Sequence, residues 1–453
     1  MERLDVFVIG GGGTGSEVAF RLARAGLRVA IAERDRLGGE CNHYGCVPTK
    51  VMLRSAKLAQ LARGAAPFGV RIPEVEIDFL AVRERIRSVI QAQSGGGARP
   101  FERAGIRVFL EEARLAGPRR IELADGTALE ADRIVLTTGS EPVAPPIEGL
   151  QDGPSWTNKE AIWRPEAVPH SLGVVGTGAV GLEFAQIYAR FGSAVTALDL
   201  APRILPNEDP DAAAALSPAL EEEGIRLRPN VRIERAEHDG RRWRLHIAGA
   251  EPLEVDELLV AAGRRPCFDV HDLAAAGVAL DEHAKPILGP TLRTTAEGIW
   301  AAGDATGDLL FTHVGNYEAA IVAEDILGRP RHRDYRVVPR VTFCDPEVAS
   351  VGLTEEQARA AGHDVRTGTV RMRDNERARI DGRTHGLVKL VADAGTGQLL
   401  GGHIVSEEAG TMIHEVVAAM ASRAPVEALG RAIHAYPTLS EAVRDALEPL
   451  MPG

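Results

Sequence analysis

Two glycine-rich loops place the strongest constraint on the fold of this chain. The first, Gly10–Gly15, follows the apolar run DVFVIG and precedes SEVAFRLARAG, whose spacing predicts a helix. The second, Gly176–Gly181, follows SLGVVG and precedes LEFAQIYARFG. In each copy the helix leads into another predicted strand, which ends at an acidic residue, Glu33 or Asp199. Both stretches therefore predict a βαβ unit with G-x-G-x-x-G at its first turn.

The two copies agree in register as well as in type. Adding 166 to Gly10, Gly12, Gly15, Gly26 and Glu33 gives Gly176, Gly178, Gly181, Gly192 and Asp199. One such loop alone could be an ordinary turn in a glycine-rich chain, but the shared register favours a shared function. Glycines let a pyrophosphate approach the helix N-terminus, whose free N–H groups favour negative charge, and the carboxylate can accept from a ribose hydroxyl. The chain is therefore expected to bind two dinucleotides.

Length and charge indicate how many domains the chain forms and which partners it is not expected to bind. With 453 residues, the chain is expected to form two to four domains. The net charge of −12 and the absence of a Lys/Arg-rich run argue against nucleic acid and membrane surfaces as partners. No apolar run approaches the ~18 residues of a membrane span, and the first residues resemble no signal peptide. We therefore expect a cytoplasmic protein.

The rest of the chain can be placed coarsely by pattern. Helical spacing marks residues 51–62 and 78–93, and Asp125-Gly126 predicts the turn of a hairpin within residues 119–140. A proline-rich linker at residues 141–150 leads to the second nucleotide fold. The predicted fold class is α/β, with two Rossmann-like domains and a C-terminal α+β domain. The predicted domain bounds are 1–150 with 267–335, then 151–266, then 336–453.

The segment GGECNHYGCVPTK contains two of the four cysteines, Cys41 and Cys46. A zinc site would need two further ligands at matching spacing, whereas Cys267 and Cys344 stand alone and are interpreted as buried, inert thiols. In the cytoplasm, a close cysteine pair is redox-active or metal-binding more often than structural. A helix N-terminus favours thiolate, and a distorted first turn would bring the sulfurs together. We predict a redox dithiol and no bound metal.

These segments, with several others, resemble one enzyme family over nearly the whole chain. The further segments are TTGS (137–140), the second loop with Glu183, AAGRRP (261–266), IWAAGDATG (299–307), DPEVASVGLTE (345–355) and PTLSE (437–441). The chain is similar to the flavin-dependent pyridine nucleotide–disulfide oxidoreductases, which include dihydrolipoamide dehydrogenase, glutathione reductase and mercuric reductase. The resemblance implies that domain 1–150 with 267–335 binds FAD, that 151–266 binds NAD(P)H, and that 336–453 forms a homodimer.

The resemblance also implies roles for individual residues. Electrons would pass from NAD(P)H through FAD to a Cys41–Cys46 disulfide, with Cys46 against the flavin and Cys41 facing the substrate. Asp304 would bind the flavin ribityl chain, and Lys50, paired with Glu183, would lie near flavin N5. The predicted catalytic residues are Cys41, Cys46, Lys50, Glu183, Tyr436 and Glu441. The predicted cofactor-binding residues are Gly10, Gly12, Gly15, Glu33, Lys50, Ala113, Thr138, Gly139, Asp304, Thr312, Gly176, Gly178, Gly181, Asp199 and Gly263.

Tyr436 departs from the family pattern. In family members that act on disulfides, a partner-supplied histidine precedes this proline, and a glutamate five residues later, here Glu441, completes the pair. Tyrosine, with a reference pKa of about 10, is a poor base at neutral pH. Mercuric reductases also have a tyrosine here but end in a cysteine pair, whereas this sequence ends EPLMPG. His434 is an alternative base, and Pro437 is expected in the first turn of a helix.

Other departures lie in the cysteine loop, at Asn42, His43 and Tyr44. His43 could tune the thiolates or donate a proton, or it could point away from the sulfurs and pack. For the nucleotide, Asp199 favours NADH over NADPH because a carboxylate repels a 2′-phosphate, although Arg203 could weaken this preference.

The leading interpretation is a homodimeric FAD-dependent NAD(P)H oxidoreductase that reduces a small disulfide or a metal ion. The first alternative is a mercuric or other metal-ion reductase proper. A flavin oxidase or transhydrogenase is a further enzyme alternative, although those relatives need neither cysteine. An alternative of another class is a flavoprotein subunit that docks to a multienzyme complex, or a redox sensor.

Overall fold

A computed structural model describes residues 4–451, except for the side chains of residues 270 and 271. The strands are β1 (Leu4–Ile9), β2 (Val29–Ala32), β3 (Arg107–Phe109), β4 (Ala113–Gly117), β5 (Arg120–Leu123), β6 (Ala128–Leu136), β7 (Ser140–Pro142), β8 (Ser171–Val175), β9 (Ala194–Leu198), β10 (Arg226–Arg228), β11 (Ile233–His238), β12 (Trp243–Ile247), β13 (Leu253–Val255), β14 (Glu257–Val260), β15 (Arg264–Pro266), β16 (Ile299–Ala301), β17 (Arg340–Thr342), β18 (Glu347–Gly352), β19 (Val365–Arg371), β20 (Leu387–Asp393) and β21 (Gln398–Ser406).

The helices are α1 (Gly13–Arg24), α2 (Gly39–His43), α3 (Cys46–Arg63), α4 (Phe79–Ser94), α5 (Arg99–Arg103), α6 (Asn158–Trp163), α7 (Ala179–Phe191), α8 (Pro210–Glu222), α9 (Val270–Ala275), α10 (Thr312–Ile326), α11 (Glu355–Ala360), α12 (Glu376–Ile380), α13 (Ala409–Ser422), α14 (Val426–Gly430) and α15 (Glu441–Leu447). Short 3₁₀ turns lie between them, one of them at Gly303–Thr306. Within the described range, no helix is both long enough and apolar enough to cross a membrane.

The contacts divide the chain into two compact units. The first contains the chain up to Thr49, Arg83–Val143 and Gly263–Asp334, and the second contains Lys50–Val82, Ala144–Ala262 and the chain from Tyr335 onward. The division into three domains that the sequence predicts stays a prediction.

The first unit is built on one sheet with the order β3-β2-β1-β6-β5-β4, and β16 also pairs with β6. Strands β3, β2, β1, β6 and β16 run parallel, which is the arrangement of a βαβ nucleotide fold. Val6 and Val8 of β1 pack into one core, and Phe7 and Ile9 pack into another. The continuous apolar run of β1 therefore follows from the burial of both faces of the sheet.

The second unit contains two sheets that bear on the predicted fold. One is parallel, with the order β10-β9-β8-β14, and repeats the arrangement of β1, α1 and β2 in β8, α7 and β9. The other is antiparallel, with the order β17-β18-β21-β20-β19, and α13 and α15 lie in its core. The predicted α/β class, the two Rossmann-like sheets and the C-terminal α+β fold are confirmed.

One glycine in each repeat is required by close packing. A Cβ on Gly15 would collide with the carbonyl oxygen of Gly10, and a Cβ on Gly181 would collide with that of Gly176. The third glycine of each motif therefore lets the helix approach the strand that precedes it.

Candidate active site

The first glycine loop leads directly into α1. Gly12 is the residue before the helix, and Glu33 follows β2 at the same edge of the sheet. The Glu33 carboxylate accepts hydrogen bonds from the N–H of Gly11 (2.7 Å) and from the N–H of Asp35 (2.8 Å). The predicted acid is thereby fixed against the predicted phosphate loop.

The second loop reproduces this geometry. Gly178 precedes α7, and the Asp199 carboxylate accepts from the N–H of Thr177 (2.6 Å) and from the N–H of Ala201 (2.9 Å). Thr177 and Ala201 are the counterparts of Gly11 and Asp35 at the 166-residue offset between the copies. The Thr177 hydroxyl adds a third bond to Asp199, at 2.7 Å.

A cavity of about 1050 Å³ opens beside the first loop, within the first unit. Gly10, Glu33, Ala113 and Thr138 are among its lining residues. The Thr138 Oγ1 is buried and finds no hydrogen-bond partner in the described part of the chain, so the wall offers an unused polar atom. The size of the cavity, the open glycine loop and the carboxylate of Glu33, which is predicted to bind a ribose, fit the adenosine part of FAD. Other predicted contacts are not in its lining, namely Gly12, Gly15, Gly139, Asp304 and Thr312.

Asp304 lies in the turn Gly303–Thr306. Gly139 precedes Ser140, whose hydroxyl binds Asp304. The Asp304 carboxylate accepts a hydrogen bond of 2.5 Å from the Ser140 hydroxyl. Burial raises the pKa of Asp304 above its ordinary value, and the contacts with Ser140 and Arg264 partly oppose that rise.

The cysteine pair lies where one helix ends and the next begins. Cys41 is in α2, which ends at His43, and Cys46 is the first residue of α3. The expected distortion is thus a break between two helices. All four cysteines are free thiols. A hydrogen bond to Cys46, together with burial, raises the pKa of Cys41 far above its ordinary value, and the Thr312 hydroxyl acts in the opposite direction.

Thr312 begins α10, and its Oγ1 lies 3.6 Å from the sulfur of Cys46. The structure therefore brings Cys41, Cys46 and Thr312 together, although Cys46 and Thr312 are 266 residues apart in the sequence.

Lys50 and Glu183 form an ion pair, as the resemblance implies. The Lys50 Nζ lies 2.7 Å from Oε2 of Glu183, whose side chain is only 4% exposed. The other carboxylate oxygen of Glu183 accepts from the N–H of Phe343 at 2.9 Å, and the Lys50 ammonium lies 4.5 Å from the centre of the Phe343 ring. Such a paired and stacked lysine has a fixed position for its charge.

Gly263 has a φ of +135°, and its carbonyl accepts from the N–H of Val143 at 3.0 Å. This places it beside the pairing of β15 with β7.

The expected helix start at Pro437 is wrong. Helix α15 begins at Glu441, and Pro437 lies before it in a segment where the Tyr436–Pro437 peptide bond is cis. The approaching chain is fixed instead by Glu441, which is 7% exposed and accepts from the N–H of Thr438 at 3.0 Å. A side-chain bond to the incoming backbone, rather than a proline in the first turn, marks this helix start.

Tyr436 and His434 differ in their surroundings. Tyr436 is 74% exposed in the chain. The His434 ring contacts an oxygen with each nitrogen, Oε1 of Glu415 at 2.8 Å and the carbonyl of Ala432 at 3.1 Å. His434 is therefore held within its own chain, which favours the structural interpretation of this histidine over the role of base.

The remaining candidates behave as packed side chains. His43 is 7% exposed, and its Nε2 lies 3.0 Å from the carbonyl of Leu37, which agrees with a packing role. Burial raises the pKa of Cys344 and of Cys267, so both thiols are poor nucleophiles. Cys344 is buried, as expected, whereas Cys267 is only partly buried.

Two functional contacts were missed by sequence reasoning. Arg264 donates to Ser140 through Nε at 2.8 Å, and Ser140 in turn donates to Asp304. Arg264 lies in the family motif AAGRRP, and Ser140 lies in the family motif TTGS. Membership of these motifs could have indicated the two residues, but not that they contact each other. Their pairing joins residues that are 124 apart in the sequence.

Comparison with known proteins gives the family. The model of the pyridine nucleotide-disulphide oxidoreductases matches residues 4–325, and the model of the dimerisation domain of the same family matches residues 338–447. A dihydrolipoyl dehydrogenase of Thermus scotoductus is 38% identical over 457 residues, covering 99% of this chain and 98% of that protein. A mercuric reductase of Lysinibacillus sphaericus is 32% identical over 448 residues, covering 98% of this chain and 82% of that protein.

A solved structure shows the same relationship. The Cu(II) complex of the HOCl-induced flavoprotein disulfide reductase RclA from Escherichia coli is 31% identical and covers 99% of each chain, with a TM-score of 0.89. Members of this family bind FAD and NAD(P)H. On the evidence of its glycine loops, its cysteine pair and these matches, the chain belongs to the pyridine nucleotide-disulphide oxidoreductases and is an FAD-dependent enzyme of that family.

Proposed function

We propose that this enzyme passes electrons from NADH through its Cys41–Cys46 pair to a metal ion such as Cu²⁺ or Hg²⁺, in preference to a small disulfide. The observation that supports this choice is Tyr436, which occupies the position where disulfide-reducing members have a histidine. The nearby His434 is already bonded to Glu415 and to the Ala432 carbonyl.

Proton balance explains why the histidine matters for one substrate class. Reduction of a disulfide by NADH consumes one proton, and two protons end on the product thiols (NADH + H⁺ + RSSR → NAD⁺ + 2 RSH). Reduction of a metal ion places no proton on the substrate (NADH + 2 Cu²⁺ → NAD⁺ + H⁺ + 2 Cu⁺, or NADH + Hg²⁺ → NAD⁺ + H⁺ + Hg⁰). A site without a histidine base is therefore adequate for metal ions and poor for disulfides.

The names of two relatives agree with this choice. One relative is named mercuric reductase, and one solved relative is a Cu(II) complex of a flavoprotein disulfide reductase. Both cover nearly the whole of this chain.

Individual residues of the chain would bind FAD and act on it as follows. The first loop and Glu33 hold the adenosine end of FAD, and Asp304 holds its ribityl chain. Bound there, FAD would supply the redox chemistry that links the nicotinamide to the cysteine pair. By the family resemblance, Lys50, held by Glu183, would supply the flavin with a fixed positive charge.

The dithiol itself meets the substrate. Thr312 contacts Cys46 and lowers the pKa of Cys41, which opposes the effects of burial and of the Cys46 contact. Cys41 is the thiol that meets the substrate, and Tyr436 and Glu441 complete its surroundings from the partner subunit of a homodimer. The cysteine sulfurs are soft ligands and suit Hg²⁺ or Cu⁺.

For the nucleotide, we infer a preference for NADH. Asp199 presents a carboxylate at the end of β9, and its charge repels a 2′-phosphate. The Arg203 guanidinium donates to the carbonyls of Pro206 (2.8 Å) and Glu208 (2.9 Å), so it is engaged elsewhere. A higher kcat/KM with NADPH than with NADH would contradict the inference.

The test measures the rate of NADH oxidation with each of six electron acceptors: Cu²⁺, Hg²⁺, lipoamide, glutathione disulfide, quinone and O₂. We expect faster turnover of a metal ion than of either disulfide, and loss of that turnover in Cys46→Ser with FAD still bound. Metal reduction that persists in Cys46→Ser would show that the dithiol is not on the path.

The second candidate is a dihydrolipoyl dehydrogenase, since the Thermus scotoductus relative has that name and 38% identity. Lipoamide turnover faster than metal reduction would favour it. A cytoplasmic location stays a prediction. Docking to a multienzyme complex is the alternative of another class, and co-purification of the native protein with a large assembly would support it.

A further inference from the structure

A chain of hydrogen bonds joins the helix of Cys41 to the turn that contains Asp304. The Arg264 side chain donates through Nε to the Ser140 hydroxyl (2.8 Å) and through a terminal nitrogen to the Ser140 carbonyl (2.8 Å). The same terminal nitrogen lies 3.4 Å from Oε1 of Glu40, the residue before Cys41. The Ser140 hydroxyl in turn donates a hydrogen bond to the Asp304 carboxylate.

The charged residues in this hydrogen-bonded series shift the pKa of Asp304 in opposite directions. Burial is the main cause of the raised pKa of Asp304; Ser140 and the positive charge of Arg264 lower that pKa, and the negative charge of Glu40 raises it. From another side, the buried carboxylate of Glu318 accepts from the N–H of Gly303 in the same turn, at 2.6 Å.

Arg264 is also well placed to act as a fixed charge. Its side chain is 22% exposed, and its pairing with Ser140 adjoins the antiparallel pairing of β15 with β7. A guanidinium with two bonds to one residue has little freedom to move away.

From these contacts we propose that Arg264 and Glu40 are positioning residues for FAD, acting in opposite directions through the Asp304 carboxylate. Arg264 keeps the carboxylate charged and oriented, and Glu40 limits that effect. The pair thereby sets the lowest pH at which the enzyme retains FAD. The proposal rests on the proposed role of Asp304 as a ligand of the flavin ribityl chain.

The direction follows from the chemistry of the contact. A charged carboxylate accepts hydrogen bonds from ribityl hydroxyls more strongly than the protonated acid does. As the pH falls through the raised pKa of Asp304, the carboxyl gains a proton and FAD is released. Loss of Arg264 moves this release to higher pH, and neutralisation of Glu40 moves it to lower pH.

The experiment measures FAD release by flavin fluorescence as the holoenzyme is taken from pH 8 to pH 4, without NADH. Arg264→Met is expected to raise the midpoint by roughly half a pH unit or more, and Glu40→Gln to lower it. Arg264→Lys, which keeps the charge but loses the two-bond contact, should recover part of the shift. Arg28→Met is the matched control, because Arg28 pairs with Asp5 at 2.8 Å elsewhere in the same unit and is not in the cavity lining.

The outcomes separate the possible failures. Shifts of equal sign in Arg264→Met and Glu40→Gln, or no shift in either, would overturn the proposal, because a merely structural role predicts equal signs. If Arg264→Met does not fold, Glu40→Gln and Arg264→Lys decide between opposite and equal signs. A wild-type enzyme that holds no FAD at pH 8 would instead overturn the proposed function.

Discussion

Tyr436 is the residue on which the proposed preference for a metal-ion substrate rests. Its 74% exposure leaves the phenol available to a second molecule, while Glu441 behind it is buried and bonded to the N–H of Thr438. A phenol can donate a hydrogen bond but does not exchange protons readily at neutral pH, so the residue orients a ligand better than it serves as a base.

Tyr436→His is therefore expected to raise turnover of lipoamide or glutathione disulfide by roughly tenfold or more, since general acid–base catalysis typically contributes 10²–10⁴-fold. Steady-state kinetics with both disulfides measure the gain. The Cu²⁺ rate should change much less, because no proton is transferred to that substrate.

His434→Ala is the companion variant. His434 is held by Glu415 and the Ala432 carbonyl, so its removal should leave the slow disulfide rate of the native enzyme unchanged. A sharp fall in that rate would identify His434 as the base and would remove the reason for preferring a metal-ion substrate.

At the scale of elements, the two strand–loop–helix units share one construction. In each, the acid after the second strand binds a loop N–H, and the third glycine lets the helix approach the loop. The second glycine of each motif, Gly12 or Gly178, is not required by close packing. A Cβ on Gly178 would meet no atom within 4 Å, and a Cβ on Gly12 would meet only Gly39, at 4.0 Å. Protein packing therefore does not require a glycine at these two positions, which agrees with their predicted role in binding a cofactor.

Gly12→Ala and Gly178→Ala should therefore weaken cofactor binding without weakening the fold. We expect Gly12→Ala to lose FAD on dialysis, and Gly178→Ala to keep FAD but to raise KM for NADH roughly tenfold, since a methyl group would occupy the path of the pyrophosphate. The flavin-to-protein absorbance ratio and NADH kinetics measure the two effects.

Each variant is the control for the other, and thermal unfolding of both should match that of the wild type when all three are compared as apoproteins stripped of FAD. Loss of FAD from Gly178→Ala alone would reverse the assignment of the two folds to their nucleotides.

At the scale of the whole molecule, the second unit presents large apolar side chains to solvent. Ile433 is fully exposed, and Phe68, Leu58 and Ile380 are 61%, 52% and 55% exposed. Residues 338–447, which include Ile433, match the dimerisation domain of the family. Exposed apolar side chains of this kind are typical of surfaces that a partner covers.

The enzyme is accordingly expected to sediment as a homodimer. Burial of one isoleucine contributes about 2 kcal/mol. Ile433→Ser should therefore weaken the dimer at least tenfold if both copies of the residue are buried in the interface, which sedimentation velocity across a dilution series would measure. Leu110→Ser, at a residue that is 65% exposed and lies outside the dimerisation match, is the control. A monomer with full activity would contradict the proposed site.

The two nucleotide folds and the cysteine pair could be predicted from the sequence alone. Their signals are local: a strand, a glycine loop, a helix and an acid within 24 residues of Gly10, and two cysteines five residues apart. Local backbone requirements of this kind can be read without knowing what packs nearby. The tertiary structure alone decided the partners of those elements. Arg264 reaches Ser140 across 124 residues, Lys50 reaches Glu183 across 133, and His434 is held by Glu415 from α13. The start of α15 at Glu441 was not predicted either, because the proline pattern does not show that the Glu441 carboxylate binds the N–H of Thr438 in the incoming chain.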